Sequence, residues 1–459
     1  MGADTSRLGE EKISRLLWQF SLPSIMSAIA GSAYVIIDRI FVGQMVGAQA
    51  IAGISLTMPI SFIILAFVML VAAGSGTLVS IRLGEGRQDE AEAILGNAVT
   101  LIGIISIVTT GLLLILIDKI LIALGGSPAI LPYATEFIRI ILLGSVFQYI
   151  VSALPAIIRA EGDPRTSMNI VLINVGVNIF LDFVFIYLLG WAVKGVAIAT
   201  VMAQTASSVF AFWYFCGPKS VLRLRARNLP IRLEIVKEMM SVGMAPFVMQ
   251  MAASIVYSLF NQNLARYGGD TAIGAYGIIN VMLVFLILPV NGIIMGVQPI
   301  IGFNYGAGRY DRVIEALKDA IIAATVVTST GFIILQLFPG QLLGVFTDNS
   351  SFLTVGSRGM RLMIIMLPVI GFQMVSSSFF QAIGKARTAL GLALLRQVLI
   401  LIPALIILPR FFHLNGIWIA SPLSDGLAVI VTILVLSVKV RSLKMESNII
   451  TNTGKVFIQ

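Results

Sequence analysis

Histidine and cysteine are almost missing from this 459-residue chain, which has His413 and Cys216 and no other of either kind. No disulfide can close within it, and a Cys/His metal site lacks the ligands to form. A histidine triad or proton relay would have only His413, in the loop-like stretch Arg410-Phe-Phe-His413-Leu-Asn, so His413 reads as an interfacial residue. Charge is scarce too: 12% of residues are charged, against about 25% in soluble chains. No Gly-x-x-x-x-Gly-Lys-Ser/Thr loop occurs, which excludes nucleotide-driven transport within the chain. The polar residues offer no nucleophile–base pair, so an enzyme is not expected.

What is abundant is apolar length. Hydrophobic residues make up 58% of the chain and the mean hydropathy is +0.98. Apolar runs suited to spanning recur over approximately 16–42, 50–80, 92–117, 130–158, 168–189, 194–216, 238–264, 272–302, 314–338, 352–381, 389–409 and 416–439. The expectation is an all-α polytopic membrane protein of about twelve transmembrane helices. The first run is too long for a signal-peptide core and reads as a retained span.

The net charge of +9 is distributed in short segments between the runs, which is the positive-inside pattern and not a nucleic-acid footprint. Arg82/Arg87, Arg159/Arg165, the linker arginines Arg223, Arg225, Arg227 and Arg232, Arg309/Arg312 and Lys385/Arg387 fall in alternate loops. With an even number of spans, both termini and the linker are expected on the cytoplasmic side of the cell membrane. The linker reads as a juxtamembrane segment facing anionic lipid.

The chain repeats across that linker. Gly84-Glu-Gly86-Arg87-Gln-Asp89 returns as Gly306-Ala-Gly308-Arg309-Tyr-Asp311, 222 residues on, and Ala160-Glu-Gly162-Asp-Pro-Arg165-Thr166 returns as Ala382-Ile-Gly384-Lys-Ala-Arg387-Thr388 at the same offset. Two parallel repeats follow: an N-terminal six-helix bundle over 1–216, a cytoplasmic linker over 217–237, a C-terminal six-helix bundle over 238–440 and a cytoplasmic tail over 441–459. Two such bundles around a central cavity suit alternating access.

Few acids lie inside the spans. Asp182 stands at the end of the series Asn174, Asn178, Asp182, spaced i, i+4, i+8 on one helix face. A carboxylate at membrane depth costs about 2.5–3.5 kcal/mol on insertion scales. Asp38, Asp182 and Thr200 each fall roughly 8–11 Å below the same surface when counted at about 1.5 Å per residue. Two carboxylates, the Asn178 amide and a hydroxyl can therefore meet at one level. Such a pair resists double ionisation, so a proton can neutralise it, and Na⁺ can use the same oxygens. Its repeat partners are Asn261 for Asp38 and Ala404 for Asp182, so the second half lacks the acids. Pro23, inside the first span and matched by Pro246, is either a static bend or a hinge responding to Asp38. Gln148, Gln250 and Asn280, with Asn261, are candidate cavity polars. Gly74-Ser-Gly76 reads as close helix packing, and Asp425 as an acid bonded locally at a helix end.

With these residues in view, the chain resembles the multidrug and toxic compound extrusion (MATE) transporters, most nearly their DinF-type prokaryotic branch. The resemblance runs from about Lys12 to Lys444. It rests on the paired six-helix halves, Phe20-Ser-Leu-Pro23, Asp38, Asn178-x-x-x-Asp182 and Thr200. It implies ion-coupled export of bulky, often cationic and lipophilic compounds, without a cofactor, by a protein functional as a monomer. It also implies a proton or cation site at Asp38, Asn178, Asp182 and Thr200, and a first helix that bends at Pro23. Branches with acids in the second half place them on the seventh and tenth spans, which here offer Gln250 and Gln373. The rival reading is a flippase for a lipid-linked oligosaccharide from the same wider superfamily. Its pyrophosphate would want Arg or Lys in the cavity, with Arg39, Arg139, Arg361 and Arg396 as candidates.

Overall fold

The structure, a computed structural model, describes residues 6–345 and 350–456. Among these there are helices and no strand. In the first half the chain forms α1 (Ser6–Glu10), α2 (Ile13–Met45), α3 (Ala48–Leu56), α4 (Met58–Gly84), α5 (Gln88–Ala123), α6 (Leu131–Leu143), α7 (Ser145–Ala160), α8 (Pro164–Asp182) and α9 (Ala192–Cys216). The second half holds α10 (Leu233–Gly306), α11 (Tyr310–Leu337), α12 (Pro339–Gly344), α13 (Ser350–Met363), α14 (Leu367–Ala382), α15 (Ala386–Leu394) and α16 (Ile402–Val456). Two π-helical segments, Phe183–Leu188 and Leu395–Leu401, follow α8 and α15.

Nine helical stretches of the described residues are long and apolar enough to cross a membrane. Two bent pairs, α6 with α7 at 54° and α13 with α14 at 46°, raise this to eleven. The longest stretch, Ala386–Asn448, is broken at His413, whose φ of 49° and ψ of −131° are not helical. Counted as two, it completes the twelve spans expected from the apolar runs. The His413 ring packs at this break beside Tyr267. The last residues of the expected tail, 457–459, lie outside the described residues.

The repeat seen in the sequence is written into the backbone. Gly86 and Gly308 adopt φ of 74° and 69°, and Gly162 and Gly384 adopt 102° and 72°. That left-handed region suits a residue without Cβ, and each glycine ends one helix before the next begins. Arg87 and Arg309 then share a ψ of 64° at the following N-cap. At Asp163 the side chain caps α8 by accepting from the Thr166 backbone N–H at 2.9 Å and the Thr166 hydroxyl at 2.7 Å, with Pro164 at the first helical position.

By contact the chain forms two units. One holds the chain up to Glu10 and Met26–Phe247; the other holds Glu11–Ile25 and the chain from Val248. The chain thus changes unit twice within a helix, in α2 after Ile25 and in α10 after Phe247. Pro23 and Pro246 each lie just before a crossing. Within each unit a transplanted helical segment packs closely. A Cβ on Gly74 would meet the Met239 carbonyl oxygen at 2.2 Å in the first unit, and one on Gly296 would meet the Ser21 backbone nitrogen at 2.6 Å in the second. The close packing expected around Gly74 is therefore present, and it is built against α10.

The linker is not a free loop. Its backbone is held by polar side chains of the first unit. Glu161 accepts from the Ser220 hydroxyl at 2.9 Å and the Leu222 N–H at 3.1 Å. Asn97 donates to the Asn228 and Pro230 carbonyls and accepts from the Arg232 N–H at 2.7 Å. Thr100 donates to the Leu229 carbonyl at 2.8 Å. A buried carboxylate and a buried amide satisfy backbone groups that would otherwise compete for water.

Candidate functional site

The site is built in the first unit on α2, α7, α8 and α9. Asp38 follows Tyr34 by one turn of α2, and both line a cavity of about 290 Å³. Thr57, Ser61, Gln148, Thr200 and Gln204 line it as well, among apolar neighbours such as Phe62 and Phe137. The Thr200 hydroxyl, in the cavity wall, donates to the Val196 carbonyl of its own helix at 2.9 Å and keeps its capacity to accept. Gln204, one turn further on α9, donates to the Gln148 side-chain oxygen.

Asn178 and Asp182 lie behind this wall, at 1% and 0% exposure. The Asp182 and Asp38 carboxyls come within hydrogen-bonding range of each other, and Tyr34 lies within electrostatic reach of both. Neither Asp182 oxygen has a donor among the described residues, and the same holds for both amide atoms of Asn178 and the amide oxygen of Asn174. A buried polar atom without a partner costs about 1–3 kcal/mol. Five such atoms on one face of α8 make a surface whose hydrogen-bonding capacity the protein itself does not use. A proton between the two carboxyls would give one of them the donor it lacks. A hard cation would take the carboxylate and amide oxygens as ligands. No group of three or more His, Cys, Asp or Glu residues suited to a metal occurs among the described residues, so a cation here would rely on the two aspartates, amides and hydroxyls.

The structure thus brings Asp38, Asn178 and Asp182 together, with Asn174 on the same face and Thr200 and Gln148 in the cavity wall. Gln250, Asn261 and Asn280, expected as polar residues of a central substrate cavity, belong to the other half of the chain. They are half-buried in the second unit, and none lines this cavity. Pro23 lies inside α2, in the segment that packs with the second unit. Tyr34 and Gln204 were missed in the sequence. Helical spacing could have found them, since Tyr34 is four residues before Asp38 and Gln204 four after Thr200.

The second unit answers the site differently. Arg396, in the π-helical segment, donates through Nε to Asp425 Oδ1 at 2.8 Å, with the side chains 24% and 5% exposed. Asp425 is therefore paired across 29 residues, not bonded locally at a helix end as its neighbours Pro422 and Gly426 suggest. Ser424 donates to the Arg396 carbonyl at 2.7 Å and fixes the pair's geometry.

Fold and site together define an all-helical, multi-pass membrane protein with the polar interior of a transporter. The chain belongs to the MatE family, whose profile matches residues 23–184 and 246–406. It is 26% identical over 428 residues to the multidrug export protein MepA of Staphylococcus aureus strain N315, covering 92% of this chain and 93% of that protein. The Staphylococcus haemolyticus MepA is likewise 26% identical, over 413 residues. Among solved structures, the MATE multidrug transporter DinF-BH superposes with a TM-score of 0.88 at 34% identity, covering 94% of this chain and 97% of that one. A MATE structure in the bent conformation gives a TM-score of 0.91 at 23% identity and speaks for the fold alone.

Proposed function

We propose that this protein is a multidrug efflux transporter that exchanges organic, often cationic and lipophilic compounds for H⁺ or Na⁺ by alternating access. Residues 1–216 and 238–440 are its two halves, and the N-terminal half holds the driving ion. The observation that carries the reading is the pair Asp38 and Asp182, in hydrogen-bonding range beside a cavity, with the oxygens of Asp182 unused by any donor among the described residues. Two like charges that close in low dielectric resist joint ionisation. The pair therefore takes up a proton or cation when one is available, and it titrates as a unit. Substrate cation and driving ion compete for, or alternate around, the same negative charge. Coupling follows if the two states of the transporter differ in their affinity for the ion.

Loop charge supports a cytoplasmic linker and cytoplasmic termini. The family relatives support a bacterial cell-membrane location, and a site contained in one chain supports a monomeric unit. The flippase reading finds less support. Among the described residues the cavity wall carries the Asp38 carboxylate and no Lys or Arg, and Arg396 is already engaged by Asp425. The Arg39 side chain lies outside the described residues. A pyrophosphate would meet repulsion where it needs cations.

The test is ethidium efflux from proteoliposomes under an imposed pH gradient and then an imposed Na⁺ gradient. Export is expected under one of the two and lost in Asp38→Asn and Asp182→Asn protein that still inserts. Undiminished export by either variant would sink the ion site.

A further inference from the structure

The repeat places Asn97 of α5 and Asp319 of α11 at equivalent positions, 222 residues apart. In the first unit this face is covered. A Cβ on Gly96 would meet the Asn228 carbonyl oxygen at 2.2 Å, and Asn97 and Thr100 are bonded to the linker. In the second unit the corresponding face is open. Asp319 instead lines a groove of about 510 Å³, together with Ser14, Leu17, Trp18 and Ser21 of α2 and Ile322 and Val326 of α11. All of these residues belong to the second unit.

Three features mark the groove as more than a seam. Its size suits a drug-sized molecule. Its wall is apolar, with the Trp18 ring 68% exposed. Its one charged side chain is the Asp319 carboxylate, half-buried and in no ion pair among the described residues. Depth narrows the occupant. From Ala320 to Leu337 the helix carries no charge, a length of about 27 Å at 1.5 Å per residue. Asp319 therefore sits where hydrocarbon begins, on the side of the Arg309/Arg312 loop. A zwitterionic lipid would bring its phosphate against this carboxylate. A lipophilic cation would bring positive charge to it, apolar surface to Leu17, Ile322 and Val326, and its charge to the face of an indole.

We infer that this groove is a docking site for lipophilic organic cations dissolved in the inner leaflet, with Asp319 as counter-ion and Trp18 as aromatic wall. The inference rests on the export reading above for its purpose, because it gives a membrane-dissolved substrate a first station on the protein. It does not share that reading's site. Where the first unit closes the equivalent face with its own linker over a neutral Asn97, the second leaves it open over an acid.

The experiment measures equilibrium binding of radiolabelled tetraphenylphosphonium to the full chain in phosphatidylcholine nanodiscs, with empty discs subtracted. The Asp38→Asn/Asp182→Asn background removes the proposed ion site. One saturable site is expected there. Adding Asp319→Asn should weaken it at least tenfold, Trp18→Ala severalfold, and Asp319→Glu less than threefold. The neutral triphenylphosphine oxide should not compete. Equal binding with Asp319→Asn, effective competition by the neutral compound, or no saturable site would each overturn the inference. Absence of gradient-driven export by the unsubstituted protein, with this binding intact, would count against the export reading alone.

Discussion

At the place of Asn174 in the first unit the second carries Arg396, at the place of Asp182 it carries Ala404, and at the place of Gln204 it carries Asp425. The scaffold is kept, down to the dihedral angles of the turns, while the polar chemistry is reversed. The first unit leaves both Asp182 oxygens and the amide oxygens of Asn174 and Asn178 without a donor among the described residues. The second supplies its acid with an arginine from within the chain. An acid neutralised by a tethered guanidinium has no need of a mobile ion, since removing either member leaves the other buried and uncompensated. On the proposed reading, duplication separates two tasks: one copy binds and releases charge, and the other holds its charge fixed in the Arg396–Asp425 pair. The faces on the side of the basic loops differ in the opposite sense, closed by the linker in the first unit and open over Asp319 in the second.

The largest expected effect breaks the comparison at its centre. Asp182→Asn and Asp38→Asn should each lower gradient-driven ethidium export more than a hundredfold, whereas Ala404→Asp should create no second coupled site. Restored export in an Asp182→Asn/Ala404→Asp double variant would show that the units are interchangeable. Next comes the ion pair. Asp425→Asn strands Arg396 and should cost about 3–5 kcal/mol, read as a fall in the melting temperature of the purified protein. Arg396→Met/Asp425→Leu, which removes both charges, should recover most of it.

The third effect concerns the linker and has a pH signature. Burial pushes the Glu161 carboxyl up to about 7 from an ordinary 4.5, against the hydrogen bonds from Tyr214, Leu222 and Ser220 that favour its ionised form; Asp163 adds to the rise. Between those two values the unfolded chain has released the proton and the folded chain still holds it. Stability conferred by the neutral acid is therefore full below about 4.5, falls as pH rises toward 7 and is then constant. At about 1.4 kcal/mol for each pH unit of that interval, the loss is on the order of 3 kcal/mol. Trypsin cleavage at the linker arginines should accelerate over this range, and Glu161→Gln should flatten the profile. The smallest effects separate the covered face of the first unit from the open face of the second. Asn97→Ala should cost about 1–2 kcal/mol through its lost linker bonds and speed the same cleavage, while Asp319→Ala should leave the melting temperature unchanged.

Much of this was legible in the chain. Charge is so expensive at membrane depth that each intramembrane acid stands out, and the i, i+4 rule aligned Asn178 with Asp182. Neutral polar residues carry no such signal. Tyr34 and Gln204 became visible only when α2, α3, α4, α6, α7 and α9 came together around one cavity, although each lies one turn from a residue already singled out.

Composition, run length, loop charge and the constant offset determined by themselves the membrane class, the twelve spans, the duplication and the position of the unusual acids. These are local or periodic properties, set by what each segment must do in hydrocarbon regardless of its neighbours. Tertiary structure alone decided which groups meet: Asp38 with Asp182, Arg396 with Asp425, the linker with Asn97 and Glu161, and the crossing of α2 and α10 between units beside Pro23 and Pro246. Those pairings span tens to more than a hundred residues. No local rule reaches that far, because the partner of a buried polar group is chosen by packing.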